Sequence, residues 1–268
     1  MSSSNNSGGG LKSVFAAVVI PAAIVIATLV YVFVLGSPSN FAEGNPENNP
    51  LNYLGIIHKG GLIVPLLMGL LIIVITFSIE RFITINSSKG SGSVDSFIAK
   101  IRSAMAKNDL NAAAAECDKQ KGSIANVVKA GLNMYKEMEA DKSLDKERKI
   151  LAIQKELEEA TTLELPMMSK NLVIISTIAS IATLMGLLGT VLGMIRAFAA
   201  IAQAGAPDAI ALATGISEAL INTALGIGTS AIAIIMYNYF TNKIDALTYG
   251  IDEAGYSVVQ TFSTHHKA

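Results

Sequence analysis

Several polar side chains lie inside two long apolar runs of this 268-residue chain. The first run contains Thr190, and the second contains a larger polar set: Glu218, Asn222, Thr223, Thr229 and Ser230. An ionisable side chain at bilayer depth costs roughly 2.5–3.5 kcal/mol, so it faces a partner or a wet cavity. Carboxylate, amide and hydroxyl groups together can pass protons or coordinate a small cation. The pattern therefore predicts an ion pathway or a contact between subunits.

The spacing of these residues places them on helical stripes. In the second run, Glu218, Asn222 and Thr229 follow each other at steps of four and seven residues, with Thr223 and Ser230 beside them. Hydroxyl residues of the first run recur at steps of four, three and seven: Ser176, Ser180, Thr183 and Thr190. A lone membrane threonine usually bonds its own i−4 carbonyl. Four hydroxyls on one line instead favour a polar surface.

Small residues accompany the hydroxyls. Gly189 and Gly193 have the four-residue spacing that lets membrane helices approach closely, and helix packing is also predicted for Gly186 and Gly226. Arg196 lies near the end of the first run. We expect its guanidinium to extend to the membrane interface rather than to lie in a pathway.

The other chemistry-bearing residues indicate no enzyme class. His58, His265 and His266 are distant from any Cys, Asp or Glu set with metal-ligand spacing. Neither a serine nucleophile motif nor a phosphate-binding glycine loop is present. Cys117, the single cysteine, cannot form an internal disulfide and is expected to be inert. The net charge of −1, without a basic cluster, gives no indication of nucleic-acid binding. We expect a protein that is not an enzyme and needs no metal or cofactor.

The composition indicates that membrane helices position the polar stripes. Hydrophobic residues make up 51% of the chain and charged residues 15%, whereas soluble domains have about 25% charged residues. We predict an all-α polytopic membrane protein with four transmembrane helices, at residues 12–35, 60–85, 170–201 and 209–241. A signal peptide is the alternative for the first span, but its apolar run exceeds the usual length of about 7–15 residues.

The connecting segments predict the orientation. Residues 86–169 have helical periodicity and contain thirteen Lys and Arg residues, which predicts a cytoplasmic helical domain, with Asp109 as an N-cap. The remaining segments are a disordered N-terminus (1–11), two periplasmic loops (36–59 and 202–208) and a cytoplasmic tail (242–268). Both termini are then cytoplasmic. Because only Pro166 interrupts the helical pattern between residues 143 and 200, we expect one long helix that bends there and extends into the cytoplasm.

Two motifs in the apolar runs resemble those of a known family. The sequence of Gly186–Phe198 is GLLGTVLGMIRAF, and that of Gly215–Asn238 is GISEALINTALGIGTSAIAIIMYN. They resemble the GLLGTV-x-GM and GI-x-EAL-x-TA-x-G motifs of the MotA/TolQ/ExbB proton-channel family, nearer to its TolQ/ExbB branch. Asn108–Leu132 is similar to the family's cytoplasmic helices, and the resemblance covers roughly residues 60–262.

The resemblance implies a motor subunit in the inner membrane of a Gram-negative bacterium. Five copies would surround a dimer of a single-span ExbD- or TolR-like partner whose membrane Asp carries the proton. A TonB- or TolA-like protein would deliver the work to the outer membrane. Thr190 and Thr223 would face the partner's Asp, with Glu218 nearer the periplasm. Further pore-lining candidates are Thr183, Asn222, Thr229 and Ser230. The added hydroxyls leave Na⁺ coupling open beside H⁺ coupling.

The resemblance leaves two other functions open. The first span is extra relative to the three-span ExbB/TolQ plan and resembles the four-span plan of flagellar stator subunits, so a flagellar- or gliding-type stator is one alternative. A non-conducting membrane scaffold, whose hydroxyl stripe only packs helices, is the other. We expect the extra span to lie outside the ring and face lipid, because the only polar residues of its apolar run, Val14–Leu35, are Thr28 and Tyr31.

Overall fold

The computed structural model describes residues 8–46, 48–203 and 209–265, without the side chains of residues 8–14, 203 and 209. Predictions for residues 1–7, 204–208 and 266–268 lie outside the described residues. The described chain divides into two compact units. We call them the membrane unit, residues 8–79 and 173–237, and the polar unit, residues 80–172 and 238–265. Within the described ranges both units are helical and contain no strand, which confirms the predicted all-α fold.

Four of the described helices are long and apolar enough to span a membrane. They are α1 (Gly8–Leu29), α3 (Ile63–Lys89), α8 (Leu172–Gln203) and α9 (Ala209–His265). A π-helical turn, Val30–Leu35, continues α1, and a short helix, α2 (Tyr53–His58), lies between α1 and α3. Their most apolar segments have mean hydropathies of 2.8, 2.4, 2.2 and 1.8. The predicted polytopic architecture with four transmembrane helices is confirmed.

The first span packs on α3 through small residues. Ala23 and Ala27 are buried at four-residue spacing on α1. Ala27 lies against Gly69 of α3, where an added Cβ would be 3.8 Å from the Cβ of Ala27. Small residues allow such close approach between membrane helices, where burial of apolar surface from water gives no drive. The rest of α1 exposes large apolar side chains, including Val18, Val25 and Phe33.

Asparagine side chains order the segment between α1 and α2. Asn40 is buried, and its Nδ2 donates to the carbonyls of Val34 and Leu35 at 2.7 and 2.9 Å. Asn52 donates to the Asn40 Oδ1 at 2.9 Å and caps α2 by accepting from the Gly55 backbone N–H at 3.0 Å. The two bonds from Asn40 satisfy carbonyls at the end of the π-helical turn, which would otherwise have no partner in the helix.

His58, the last residue of α2, joins this helix to the end of α1. Its ring stacks on Tyr31 with the centroids 4.5 Å apart, and the Tyr31 hydroxyl donates to the His58 carbonyl at 3.1 Å. The chain then turns through Gly60 and Gly61 into α3. The loop after α1 therefore fixes the position of this glycine turn.

The polar unit contains four amphipathic helices and the C-terminal parts of α3 and α9. They are α4 (Val94–Ala106), α5 (Leu110–Gln120), α6 (Gly122–Ala140) and α7 (Lys146–Ser169). Their apolar stripes are buried, and Tyr135 of α6 packs edge-on against Phe262 of α9 at 4.8 Å between centroids. The Asp109 carboxylate accepts from the Ala112 backbone N–H at 2.9 Å, which confirms its predicted N-cap role.

The expectation of one long helix bent at Pro166 is wrong. Helix α7 passes through Pro166 and ends at Ser169, and α8 begins at Leu172. Between them Asn171 has φ of 67°, a left-handed conformation that Asn tolerates better than most residues. The Pro166 carbonyl accepts from the Lys170 N–H at 3.0 Å and closes the last turn of α7. The helix therefore ends at an asparagine rather than bending at the proline.

Candidate functional site

Helices α8 and α9 cross so closely that only glycine fits at several positions. A Cβ on Gly226 would lie 2.8 Å from the Cα of Gly186, and a Cβ on Gly193 would lie 2.8 Å from the carbonyl oxygen of Gly215. The two backbones therefore touch at two levels. Gly215 was not among the predicted packing residues, although it precedes Gly226 by eleven residues, or three helical turns, on the same face.

Thr190 and Thr223 meet between these two glycine contacts. Their Oγ1 atoms are 2.5 Å apart, and each hydroxyl also lies within hydrogen-bond distance of its own i−4 carbonyl. Those carbonyls belong to Gly186, at 3.1 Å from Thr190, and to Ala219, at 3.0 Å from Thr223. Two hydroxyl protons must thus serve three oxygen–oxygen contacts, so one contact always lacks a proton. Rotation of one hydroxyl moves the donor role along the pair.

Glu218 and Arg196 form an ion pair beyond the threonine pair. Arg196 Nη1 donates to Glu218 Oε1. The Glu218 side chain is 7% exposed, whereas that of Arg196 is 53% exposed. That Arg196 extends to the membrane interface stays a prediction, and the structure adds that its guanidinium contacts the carboxylate of the second stripe. Burial of the carboxylate makes this pairing necessary, since an unpaired buried charge is strongly unfavourable.

The glycine turn before α3 lies directly against this ion pair. A Cβ on Gly61 would be 3.1 Å from the Glu218 Cδ and 3.3 Å from Arg196 Nη1. Gly61 also has φ of +75°, which glycine adopts without strain. This turn was not predicted as part of the site. The Gly60–Gly61 pair just before an apolar span was the available signal.

Asn222 connects the same turn to α9. Its side chain is fully buried, and Nδ2 donates to the Gly60 carbonyl at 2.8 Å, while Oδ1 has no partner among the described residues. The Asn222 side chain occupies the space beside Gly189, where a Cβ would lie 2.7 Å from its Cγ. In this single chain, Asn222 therefore joins α9 to the turn before α3 and requires glycine on α8.

The remaining predicted pore-lining residues lie farther from the Arg196–Glu218 ion pair along the same helices. Thr229 and Ser230 are buried, and the Ser230 hydroxyl donates to the Ala179 carbonyl of α8. Thr183 is half-buried, and α8 continues through it without interruption. The structure thus brings Thr190 and Thr223 together and pairs Glu218 with Arg196, whereas Ser230 bonds to the backbone of the neighbouring helix. Within the described ranges, no group of His, Cys, Asp and Glu residues has metal-binding geometry.

Comparison with known proteins places these features in one family. The profile of the MotA/TolQ/ExbB proton channel family matches residues 119–253, which include both motifs and the two residue pairs. The chain is 36% identical over 86 residues to a putative biopolymer transport protein ExbB-like 3 of Synechocystis, covering 31% of this chain and 41% of that protein.

Named ExbB and TolQ proteins are similarly related. Identity is 35% over 92 residues to biopolymer transport protein ExbB of Pseudomonas putida, covering 34% of this chain and 28% of that protein. It is 35% over 94 residues to Tol-Pal system protein TolQ of Haemophilus influenzae, covering 34% and 41%. The chain thus spans less than half the length of each of these relatives. The family match extends over half of the chain, and we conclude that this protein belongs to the MotA/TolQ/ExbB proton channel family, in its ExbB/TolQ-like branch.

Proposed function

We propose that this protein is a ring-forming subunit of a proton-motive-force-driven motor in the inner membrane of a Gram-negative bacterium. The observation that carries the proposal is the Thr190–Thr223 hydroxyl pair, which lies where two apolar helices touch. An apolar crossing needs only small residues to pack. The two hydroxyls have two protons for three oxygen–oxygen contacts, so the donor role between them can reverse. A polar pair whose donor role reverses suits proton transfer.

The pair is half of a pathway, because a proton also needs a titratable carrier at the same depth. Among the described residues no carboxylate lies beside the threonines, since Glu218 lies one turn beyond Asn222 and pairs with Arg196. We therefore propose a dimer of a single-span, ExbD- or TolR-like partner whose carboxylate faces the threonines inside a homopentameric ring. Both termini of this chain would be cytoplasmic.

The energy for work comes from charge movement across the membrane. Each elementary charge crossing 100 mV releases about 2.3 kcal/mol, enough to bias a rotational step of the partner dimer against the ring. A TonB- or TolA-like protein would carry this work to the outer membrane. H⁺ is the proposed ion, because hydroxyls that exchange donor roles transfer protons without coordinating a metal cation.

A stator that drives flagellar or gliding rotation is a second candidate. It is favoured by the four membrane-spanning helices, since α1 is additional to a three-span plan. The single-span partner distinguishes the two functions, because a stator partner carries a peptidoglycan-binding region whereas the first proposal requires a partner for TonB or TolA.

Proton uptake by the reconstituted complex tests the pathway. The chain would be co-expressed with the single-span protein encoded beside it, and uptake into liposomes would be measured under an imposed potential. Thr190→Ala and Thr223→Val should each lower uptake at least tenfold, with the ring still assembled. Matched controls are Thr177→Ala on α8 and Thr214→Val on α9, whose hydroxyls bond only their own helices. Full uptake in both pair variants, or assembly without any partner, would instead support a scaffold.

A further inference from the structure

The polar unit contains a cavity at the level where two predicted spans end. Its volume is about 370 Å³, within the range of roughly 300–1,000 Å³ that small-molecule sites occupy. Its apolar lining includes Phe82 and Ile85 of α3 and Tyr239 and Phe240 of α9. These are among the last residues of the predicted spans 60–85 and 209–241. The cavity therefore has an apolar wall that belongs to the membrane boundary.

The cavity also has cationic lining residues. Lys89 and Lys243 line it, and among the described residues neither ammonium forms an ion pair with a carboxylate. Lys243 Nζ lies 5.8 Å from the centre of the Tyr239 ring, so this ammonium stays beside the apolar wall. Asp95 also lines the cavity and opposes the two lysines with a single negative charge. The side chains thus leave a net charge of +1.

The start of α4 also lines the cavity and favours an anion there. Ser93, Val94 and Asp95 line the cavity, and the N-cap residue Ser93 makes no side-chain capping bond. The first N–H groups of a helix have no partner within the helix, and they favour an anion together with the helix dipole. Two ammonium groups and this helix start therefore line the same cavity as aromatic and aliphatic side chains.

We propose that this cavity binds an anionic phospholipid. The phosphate diester would lie between Lys89, Lys243 and the start of α4, and the glyceride and upper acyl chain would pack along Phe82 and Tyr239. A free phosphate ion shares the charge but has nothing to place on the apolar residues, so the lipid matches both the charged and the apolar parts of the lining. Lysines at a membrane surface attract anionic lipid with a contribution of about fivefold in affinity each. The site does not depend on the proposed ion pathway.

Lipid titration of the purified full chain, followed by native mass spectrometry, tests the site. Phosphatidylglycerol should bind at least about tenfold more tightly than phosphatidylcholine, and millimolar inorganic phosphate should not displace it. The double variant K89Q/K243Q should bind phosphatidylglycerol about 25-fold more weakly. The matched control K142Q/K146Q removes the same charge from α7 and the turn before it and should bind normally. D95N removes the opposing carboxylate and should bind more tightly.

Several outcomes overturn the proposal. Equal weakening in K142Q/K146Q would show attraction by overall charge rather than by the cavity. Equal affinities for phosphatidylcholine and phosphatidylglycerol would show that the lysines do not select an anionic lipid. Displacement of the lipid by inorganic phosphate would show that the cavity binds an anion rather than a lipid. Circular dichroism of each variant separates loss of binding from loss of fold, and tighter binding by D95N cannot arise from misfolding.

Discussion

The Arg196–Glu218 ion pair yields an asymmetric prediction, because its partners differ so strongly in exposure. The Glu218 side chain is 7% exposed and that of Arg196 is 53% exposed. Removing Arg196 therefore leaves a buried carboxylate without a counter-charge. Removing the Glu218 charge leaves a guanidinium that already reaches the surface. Breaking the ion pair should thus lower the free energy of unfolding more when Arg196 is replaced than when Glu218 is replaced.

The magnitudes follow from this difference. Breaking a fully buried ion pair by removing one partner costs about 3–5 kcal/mol. Because Arg196 is half-exposed, we expect about 3 kcal/mol for Arg196→Met, which keeps the aliphatic stem. For Glu218→Gln we expect about 1 kcal/mol, as for an exposed ion pair. The double variant should lose about 2 kcal/mol, since no unpaired charge is left, and the coupling free energy is then about 2 kcal/mol.

Unfolding in mixed micelles of increasing SDS content measures these free energies. The chain contains no Trp, so helix content by circular dichroism is a better signal than fluorescence. Arg148→Met is a control for loss of an arginine, because Arg148 forms only an exposed pair within the first turn of α7. Equal destabilisation by Glu218→Gln and Arg196→Met, or simple addition of the two effects in the double variant, would contradict the asymmetry of the ion pair.

Two further predictions concern the helix crossing and the cysteine. Gly226→Ala should destabilise the chain by about 2–3 kcal/mol in the same assay, because the added Cβ would lie 2.8 Å from the Cα of Gly186. The control Gly228→Ala should have little effect, because the space around Gly228 is open. Equal destabilisation by the two variants would contradict the close helix crossing. Burial, with Asp118 nearby, raises the pKa of the Cys117 thiol to about 12. Maleimide labelling of the native protein at pH 8 should therefore be at least about 100-fold slower than labelling in SDS. Complete labelling of the native protein within minutes would contradict the burial of Cys117.

The helices could be predicted because their signals are local. Runs of apolar residues identified the four spans, and three- and four-residue spacing identified the amphipathic helices of the polar unit. The Asp109 cap was predicted because an N-cap bonds to a backbone group only three residues later. The end of α7 was missed because proline is a conspicuous helix breaker, whereas the left-handed Asn171 has only a weak sequence signal.

The site was predicted in part. Thr190, Thr223 and Glu218 were identified from their residue types within apolar runs and from the motifs around them. The partner of Glu218 was not, because Arg196 lies 22 residues away on another helix. Gly60 and Gly61 were also missed, since they reach Asn222 and Glu218 only when the turn before α3 folds against α9.

The sequence by itself determined which segments are long and apolar enough to span a membrane, which residue types they carry and to which family the chain belongs. These properties depend on the hydropathy and order of neighbouring residues. Only the tertiary structure decided which polar groups meet. The register of α8 against α9 depends on the contacts of Gly186 with Gly226 and of Gly193 with Gly215. A shift of one residue would turn each side chain by about 100° around its helix, and it would separate both the threonine pair and the ion pair.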